Sequence, residues 1–516
     1  MTYKKYLNYS LISAIALFWG VNSAAAGDRA GVLSTPAAQQ PLVLQIQPQA
    51  ITAKHASPVV TGAGQLPVVP VQSSQVAGQS GSLAGYDSKV FEQSLVAAYL
   101  RNPDLEAARA ELRSVDESYA QAKSGYRPRV DGVADYTSSR FEGDVTDAHS
   151  DTKTLALELR QPLYRGGSTQ ANVKSSESRI NAQRALLHAK EQEVLLDAVT
   201  VYMNVVRDIS LLELNKSNVN VLERQLDASQ QRFKLGDITK TDVSQAEARL
   251  ARAVAGQVTA EGNLRASQAQ YERAIGTPAP MPLGRPAYTV HAPVTLDDAL
   301  KISENNNPDL IFARFAQSAA KNSTRSVLGE LLPQVDLTGS VGRTYDPDLR
   351  LDDELDATSI GVRATIPLYT GGGTDARVRQ SRQIESQRRM ELHRAERRVR
   401  QGVVDAWTAL TAADAEIKSR QTQIDAAKLA LDGVRIETEY GSRTTLDLLD
   451  AEQEYLDARS SYVIAERNKI VALYRVLSSV GDLTAAHLGL PVETYDPKRN
   501  FQKVKNRWIG TGIDDR

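Results

Sequence analysis

Apolar residues recur along much of the chain at the spacing of long, paired helices. Leu195, Val199, Tyr202, Val206 and Ile209 step by four, three, four and three, which is the heptad seam of a coiled coil. A later segment keeps largely the same phase through Val403, Trp407, Leu410, Ile417, Ile424 and Leu431. These seams predict helices that pack side by side. A coiled-coil rod would show the same seams. Other segments must therefore decide whether the chain is only a rod or also contains other structure.

Four short segments instead alternate apolar and polar residues with the period of two that a β-strand has. We predict strands at about 129–141, 152–161, 334–345 and 357–366. Strands of about ten residues with one apolar face are typical of outer-membrane barrels. A half-buried soluble sheet alternates in the same way. A coiled-coil rod does not explain these segments.

The chain contains two copies of one unit. Asn102-Pro103-Asp104-Leu105 recurs as Asn307-Pro308-Asp309-Leu310, and 307 minus 102 is 205. The Pro-Leu-Tyr at 162–164 recurs at 367–369 with the same offset. We therefore predict tandem repeats at 86–281 and 291–484, each ordered helix, strand, strand, long helix, helix. In the first copy we expect helices at Ser88 to Ser124, about 168–232 and Thr241 to Ile275.

The strand count indicates an oligomer. Four strands cannot close a barrel with an open lumen, whereas three chains would supply twelve and leave no free edge. Counting alone does not exclude eight strands from a dimer. The strand connections, Glu142 to Asp151 and Asp346 to Asp356, are acidic and are predicted to be exposed loops, with a calcium site in 346–356 as the alternative.

A proline lies at each predicted boundary between helix and strand. These are Pro128, Pro162, Pro333 and Pro367. Proline fixes φ and cannot continue a helix, so it is suited to redirect the chain between helix and strand.

The remaining composition excludes several classes of function. Residues 1–26 are typical of a signal peptide with cleavage after Ala26, although an uncleaved anchor is the alternative, and 27–85 are predicted to be a flexible extension. Charge is balanced, with 61 Lys and Arg against 62 Asp and Glu, so we expect no nucleic-acid partner. There is no cysteine and no catalytic motif. We expect no enzyme activity, no metal and no cofactor.

Together these features resemble the TolC family of outer-membrane channel-tunnels over about 86–484. The resemblance rests on the duplicated Asn-Pro-Asp-Leu, the Pro-Leu-Tyr followed by a glycine pair, and two helix–helix turns at Gly236 and Gly441. It implies a mainly α-helical protein with a small β-barrel part. Three chains would form a 12-stranded outer-membrane β-barrel, continued by a periplasmic α-helical coiled-coil tunnel.

The resemblance also implies roles for the two turns, as the tips of the tunnel. Arg443 would hydrogen-bond near Thr241 and Asp242 as a lock, while Asp447 and Asp450 would form acidic rings at the periplasmic aperture. A tyrosine that often belongs to the lock is Thr438 here, and Glu437 or Tyr440 could replace it. The simpler interpretation of the two aspartates is that they complement a helix N-terminus.

The expected partners are a periplasmic adaptor, an inner-membrane ABC transporter or proton-driven pump, outer-membrane lipid and two further copies of the chain. The extension 485–516 resembles that of TolC-like proteins of type I secretion, through Leu488 to Pro491, Tyr495 to Pro497 and Asn506 to Gly510. This favours export of polypeptides. A multidrug efflux channel and an outer-membrane anchor for a cell-surface adhesin are the alternatives.

Overall fold

The computed structural model describes residues 88–143, 148–281, 283–286, 292–346 and 354–513. All of them belong to one compact unit, Gln79–Arg516. The predicted signal peptide, the extension 27–85 and most of the acidic loop 346–356 lie outside the described residues. The helices are α1 (Ser88–Arg101), α2 (Pro103–Ser124), α3 (Ser168–Lys234), α4 (Lys240–Ile275), α5 (Leu296–Asn306), α6 (Pro308–Gly329), α7 (Gly373–Glu439), α8 (Thr445–Val480) and α9 (Arg499–Val504). The strands are β1 (Arg129–Phe141), β2 (Ala148–Arg165), β3 (Gln334–Tyr345) and β4 (Leu355–Thr365).

The order of elements is the same in both copies, and the predicted fold class is confirmed. One prediction about a helix is wrong. The expected helix from Ser88 to Ser124 breaks at Asn102, which caps α2 by accepting hydrogen bonds from the backbone N–H of Asp104 and Leu105. Pro103 follows at the first turn of α2, where its missing N–H costs nothing. Asn307 and Pro308 make the same break between α5 and α6.

The long helices α3 and α7 each have 67 residues and are about 100 Å long. Each turns back into a shorter helix, α4 or α8, to form a hairpin. The main core lies where the ends of α4 and α8 meet α1, α2 and the middle of α3. Tyr202 and Leu195 of the predicted seam are fully buried there, and the Phe91 ring packs edge-on against Tyr202 at 4.9 Å.

The four strands form one antiparallel sheet in the order β1-β2-β3-β4. Residues paired across neighbouring strands point to the same side of a sheet, so the register places nearly all the apolar positions on one face. Those positions are Val130, Ala134, Tyr136, Leu155, Leu157, Leu159, Leu337, Val341, Ile360, Val362 and Ala364. The other face is polar, and there Asp336 accepts a hydrogen bond from Arg160 at 2.7 Å. The sheet thus has an exposed apolar side of the kind that faces lipid.

The prolines do not all have the same position. Pro128 and Pro333 directly precede β1 and β3, and Pro367 follows β4 by two residues. Pro162 lies within β2, where the register to β3 shifts between Pro162 and Tyr164. A strand can hold a proline at such a bulge because one residue there needs no ladder hydrogen bond. Across the described residues, no helix combines the length and apolar character that crossing a membrane would require.

Candidate functional site: the turns of the two helical hairpins

Each hairpin reverses direction through a short turn that contains one glycine in the left-handed region. Gly236 has φ 81° after α3, and Gly441 has φ 76° after α7. A residue with a side chain would be strained at these angles. Five residues separate each long helix from its returning helix, at 235–239 and 440–444. The turns are therefore tight, and the chain places the same geometry at the end of both hairpins.

Asp242 and Asp447 have the same local role, because both close a capping box. The carboxylate of Asp447 accepts hydrogen bonds from the backbone N–H of Thr444 at 3.0 Å and from its hydroxyl at 2.8 Å. Asp242 accepts the equivalent bonds from Thr239, both at 2.8 Å. These bonds stabilise the ionised form and lower the pKa of each carboxyl. The geometry supports helix capping, and it also keeps a negative charge at each turn.

Arg443 is paired within its own turn. Its Nε donates to Glu437 Oε2 at 2.9 Å. Among the described residues of this single chain, no hydrogen bond or ion pair joins Arg443 to Thr241 or Asp242. Thr438, at the position of the expected tyrosine, is buried and donates its hydroxyl to the backbone carbonyl of Val434. Glu437 is therefore the partner of Arg443 in the single chain.

One contact between the two hairpins, close to the turns, was not indicated by the sequence. Arg249 on α4 donates from Nη2 to Asp450 Oδ1 on α8 at 2.6 Å. Beside it, Leu449 is buried in a small apolar cluster with Val219, Leu222 and Ala253. Asp450 was predicted as a ring residue, but its partner was missed, because 201 residues separate the two in the chain. The charge difference between the copies was the available signal, since Gln245 stands where the second copy has Asp450.

Other charged side chains near the turn are paired as well. Arg435 also pairs with Glu452 at 2.8 Å, inside the second hairpin, so charged contacts surround the turn. No cluster of His, Cys, Asp or Glu in the described part of the chain has the geometry to hold a metal ion. The turns are therefore held by ion pairs and by a small apolar cluster.

Two helical hairpins joined to a four-stranded sheet with one apolar face define a channel-tunnel protein of the outer membrane. The solved outer-membrane channel OprN has this fold, with a TM-score of 0.69 at 19% sequence identity, over 79% of this chain and 98% of that one. The family model for outer membrane efflux proteins matches twice, at residues 95–277 and 299–482. The chain belongs to the outer membrane efflux protein family, and the predicted resemblance to TolC channels is confirmed.

Two relatives show the range of this family. The outer membrane efflux protein BepC of Brucella suis is 35% identical over 429 residues, which cover 83% of this chain and 93% of BepC. The alkaline protease secretion protein AprF of Pseudomonas aeruginosa is 25% identical over 421 residues, covering 75% and 84%. The chain is therefore a non-enzymatic transport component of the outer membrane, with its helical part in the periplasm.

Proposed function

We propose that the chain forms the outer-membrane channel of a tripartite type I secretion system. Three copies enclose one tunnel that receives polypeptides from an inner-membrane ABC transporter through a periplasmic adaptor. The proposal of a polypeptide substrate rests on the C-terminal segment 485–513. This segment contains the residues that resemble those of type I secretion proteins, and they make specific contacts. The side chain of Asn506 accepts a hydrogen bond from Lys123 Nζ at 2.8 Å, and the Trp508 ring stacks 4.7 Å from the Arg127 guanidinium.

The free edges of the sheet support the trimer. In one chain, the described strands β1 and β4 each pair on a single side. The repeats meet through β2 and β3, so the equivalent contact would pair β4 of one chain with β1 of the next. Three such contacts close twelve strands and leave no edge exposed.

The helices support the same closure. On α3, Ser175 donates its hydroxyl to the Ala319 carbonyl of α6, a close contact between small residues. The position equivalent to Ser175 in the second copy is Gln380 on α7. The position equivalent to Ala319 in the first copy is Ser114 on α2. Gln380 is exposed in the single chain. The exposed side of α7 would therefore pack against α2 of a neighbouring copy, as α3 packs against α6 within one chain.

We assign the tunnel's periplasmic aperture to the two turns. Asp447 and Asp450 form acidic rings on the threefold axis, and the Arg249–Asp450 ion pair locks the two hairpins of each chain together. Arg443, Thr241 and Asp242 meet across the boundary between protomers, where the second hairpin of one copy lies beside the first hairpin of the next. The adaptor binds the outside of these hairpins, and no nucleic acid takes part.

A deletion strain tests the exported class directly. Cells lacking this chain but retaining the cognate transporter and adaptor should accumulate the secreted polypeptide inside and release none. Their accumulation of ethidium, a small efflux substrate, should match that of the wild type. Re-expression of the chain should restore export to the medium.

Multidrug efflux is the second candidate, favoured by the 35% identity to an efflux protein over 93% of its length. Raised ethidium accumulation with undisturbed polypeptide export would establish it and contradict the first proposal. A polypeptide that reaches the cell surface and stays attached there would instead indicate an anchor for an adhesin.

A further inference from the structure

The C-terminal segment follows α2 towards the sheet. The backbone N–H of Tyr495 donates to the Tyr99 hydroxyl at 3.0 Å. Further on, Asn500 Nδ2 donates to Asp116 Oδ2 at 2.9 Å, and Arg127 Nη1 donates to the Arg507 carbonyl at 2.8 Å. The contacts thus advance from α1 along α2 to Arg127, in the order of the chain. They bring Arg507 and Trp508 beside Arg127, two residues before β1 begins at Arg129.

This position lies at the edge of the apolar face of the sheet. The apolar face of the sheet begins at Val130, one residue into β1. Trp508 is 67% exposed, although its ring stacks on Arg127, two residues before the strand. Tryptophan is enriched at membrane–water interfaces, where its ring contacts the headgroup region. The next residue, Ile509, is 89% exposed.

The segment is also strongly basic. Residues 498–513 contain five cations, Lys498, Arg499, Lys503, Lys505 and Arg507, and no acidic residue. The following Asp514, Asp515 and Arg516 leave a net charge of +4 over 498–516. Lys505 and Arg507 are the cations closest in the chain to Trp508. Cations beside exposed apolar side chains fit an anionic lipid surface, where each cation near the surface contributes about 1 kcal/mol to binding.

A neighbouring protomer fits the surface less well. The helix that the repeat offset places beside α2 is α7. Its adjoining turns carry Arg379 and Arg382 at exposed positions, and Arg377, which pairs with Glu330 at 2.6 Å. Cations on both sides would repel each other at close range. Charge complementarity therefore favours lipid over a second copy.

We propose that residues 505–509 form a membrane foot that binds anionic phospholipid headgroups of the periplasmic leaflet. Trp508 and Ile509 enter the interface while Lys505 and Arg507 contact the headgroup phosphates. This role goes beyond export, because it concerns how the channel is held at the membrane whatever it transports. If the membrane foot were disproved, the result of the export test would not change.

Trp508 itself provides the measurement. The full-length trimer is reconstituted in vesicles of phosphatidylcholine, with or without phosphatidylglycerol, each carrying brominated acyl chains that quench tryptophan. The Trp508→Phe variant gives the signal of the other tryptophans, which is subtracted. We expect quenching of Trp508 that is stronger in the vesicles with phosphatidylglycerol.

A charge variant and a matched control complete the test. Lys505→Gln with Arg507→Gln should reduce the preference for phosphatidylglycerol, by about fivefold for each cation removed. Lys418→Gln, an exposed lysine on α7, should leave it unchanged. If Trp508 is shielded equally from brominated lipid of either composition, the proposal is overturned and a protomer contact takes its place. Quenching without any preference for anionic lipid would also overturn it.

Discussion

At the scale of single residues, the two turns differ where the repeat is broken. Asp242 and Asp447 are equivalent and form the same capping box. By contrast, Asp450 corresponds to Gln245 and Arg249 to Glu454. The Arg249–Asp450 ion pair therefore has no charged counterpart elsewhere in the repeat. In a trimer it would join hairpins within each chain, while the equivalent contact between chains would lack it.

Sequence patterns alone could place these residues at the turns but could not choose their partners. The capping of α8 by Asp447 follows from local spacing, since Thr444 lies three residues earlier. The pairing of Arg443 with Glu437 instead of Thr241 or Asp242 depends on side-chain geometry in a tight turn. The chain has many charged residues, so opposite charge does not single out one long-range pair.

The Arg249–Asp450 ion pair allows the lock to be separated from the acidic ring. Arg249→Gln and Asp450→Asn both remove the ion pair, so both should raise single-channel conductance in planar bilayers by loosening the aperture. Block by a trivalent cation added at the periplasmic side should change in opposite directions. It should strengthen in Arg249→Gln, which leaves Asp450 unpaired, and weaken in Asp450→Asn.

The expected size is about tenfold for three protomers, at about 0.5 kcal/mol for each exposed charge. Arg435→Gln is the matched control, because it removes an ion pair to Glu452 inside one hairpin. It should alter neither conductance nor block. A shift of block in the same direction for both main variants would contradict the acidic ring.

At the scale of elements, the break between α1 and α2 joins the hairpin to the rest of its repeat. Asn102 caps α2 with its oxygen and donates its Nδ2 to the Ala274 carbonyl at the end of α4, at 3.0 Å. Asn307 makes the same bond to Ser479 at 2.9 Å. In the sequence, the Asn-Pro pair indicates this break between helices, because proline is excluded from helix interiors and asparagine is a favoured cap.

Replacing the donor tests this joint in both repeats. Asn102→Asp and Asn307→Asp keep the capping oxygen but place a carboxylate against a carbonyl at a helix C-terminus. Each should destabilise the fold by about 1–3 kcal/mol, because the carbonyl loses its donor and meets a like charge. Thermal unfolding followed by circular dichroism should show similar losses for the two variants.

Asn305→Asp, on the exposed side of α5, is the control for the added charge. Its melting temperature should stay close to that of the wild type. Equal stability of all four proteins would mean that the two asparagine bonds do not hold the repeats together.

At the scale of the whole molecule, the 205-residue repeat offset relates contacts within one chain to the contacts expected between chains. The alternation of apolar and polar residues predicted the strands and their two faces, because both follow from local spacing. The pairing of β2 with β3 also predicts the register between chains, because the same pairing shifted by 205 residues joins β4 of one chain to β1 of the next. Leu157 pairs with Val341 inside one chain. The equivalent pair is Val362 of one protomer and Tyr136 of its neighbour.

This register can be tested by cysteine cross-linking on a chain that has no cysteine of its own. Directly opposed residues of antiparallel strands have Cα atoms about 4.5–5.5 Å apart, within reach of a disulfide. Tyr136→Cys combined with Val362→Cys should therefore give covalent trimers in outer membranes under mild oxidation. Tyr136→Cys combined with Thr358→Cys is the control. Its second cysteine lies four residues along β4, about 13 Å away, and should not cross-link. Covalent dimers without trimers would instead support an eight-stranded barrel, and efficient cross-linking of the control pair would disprove the register.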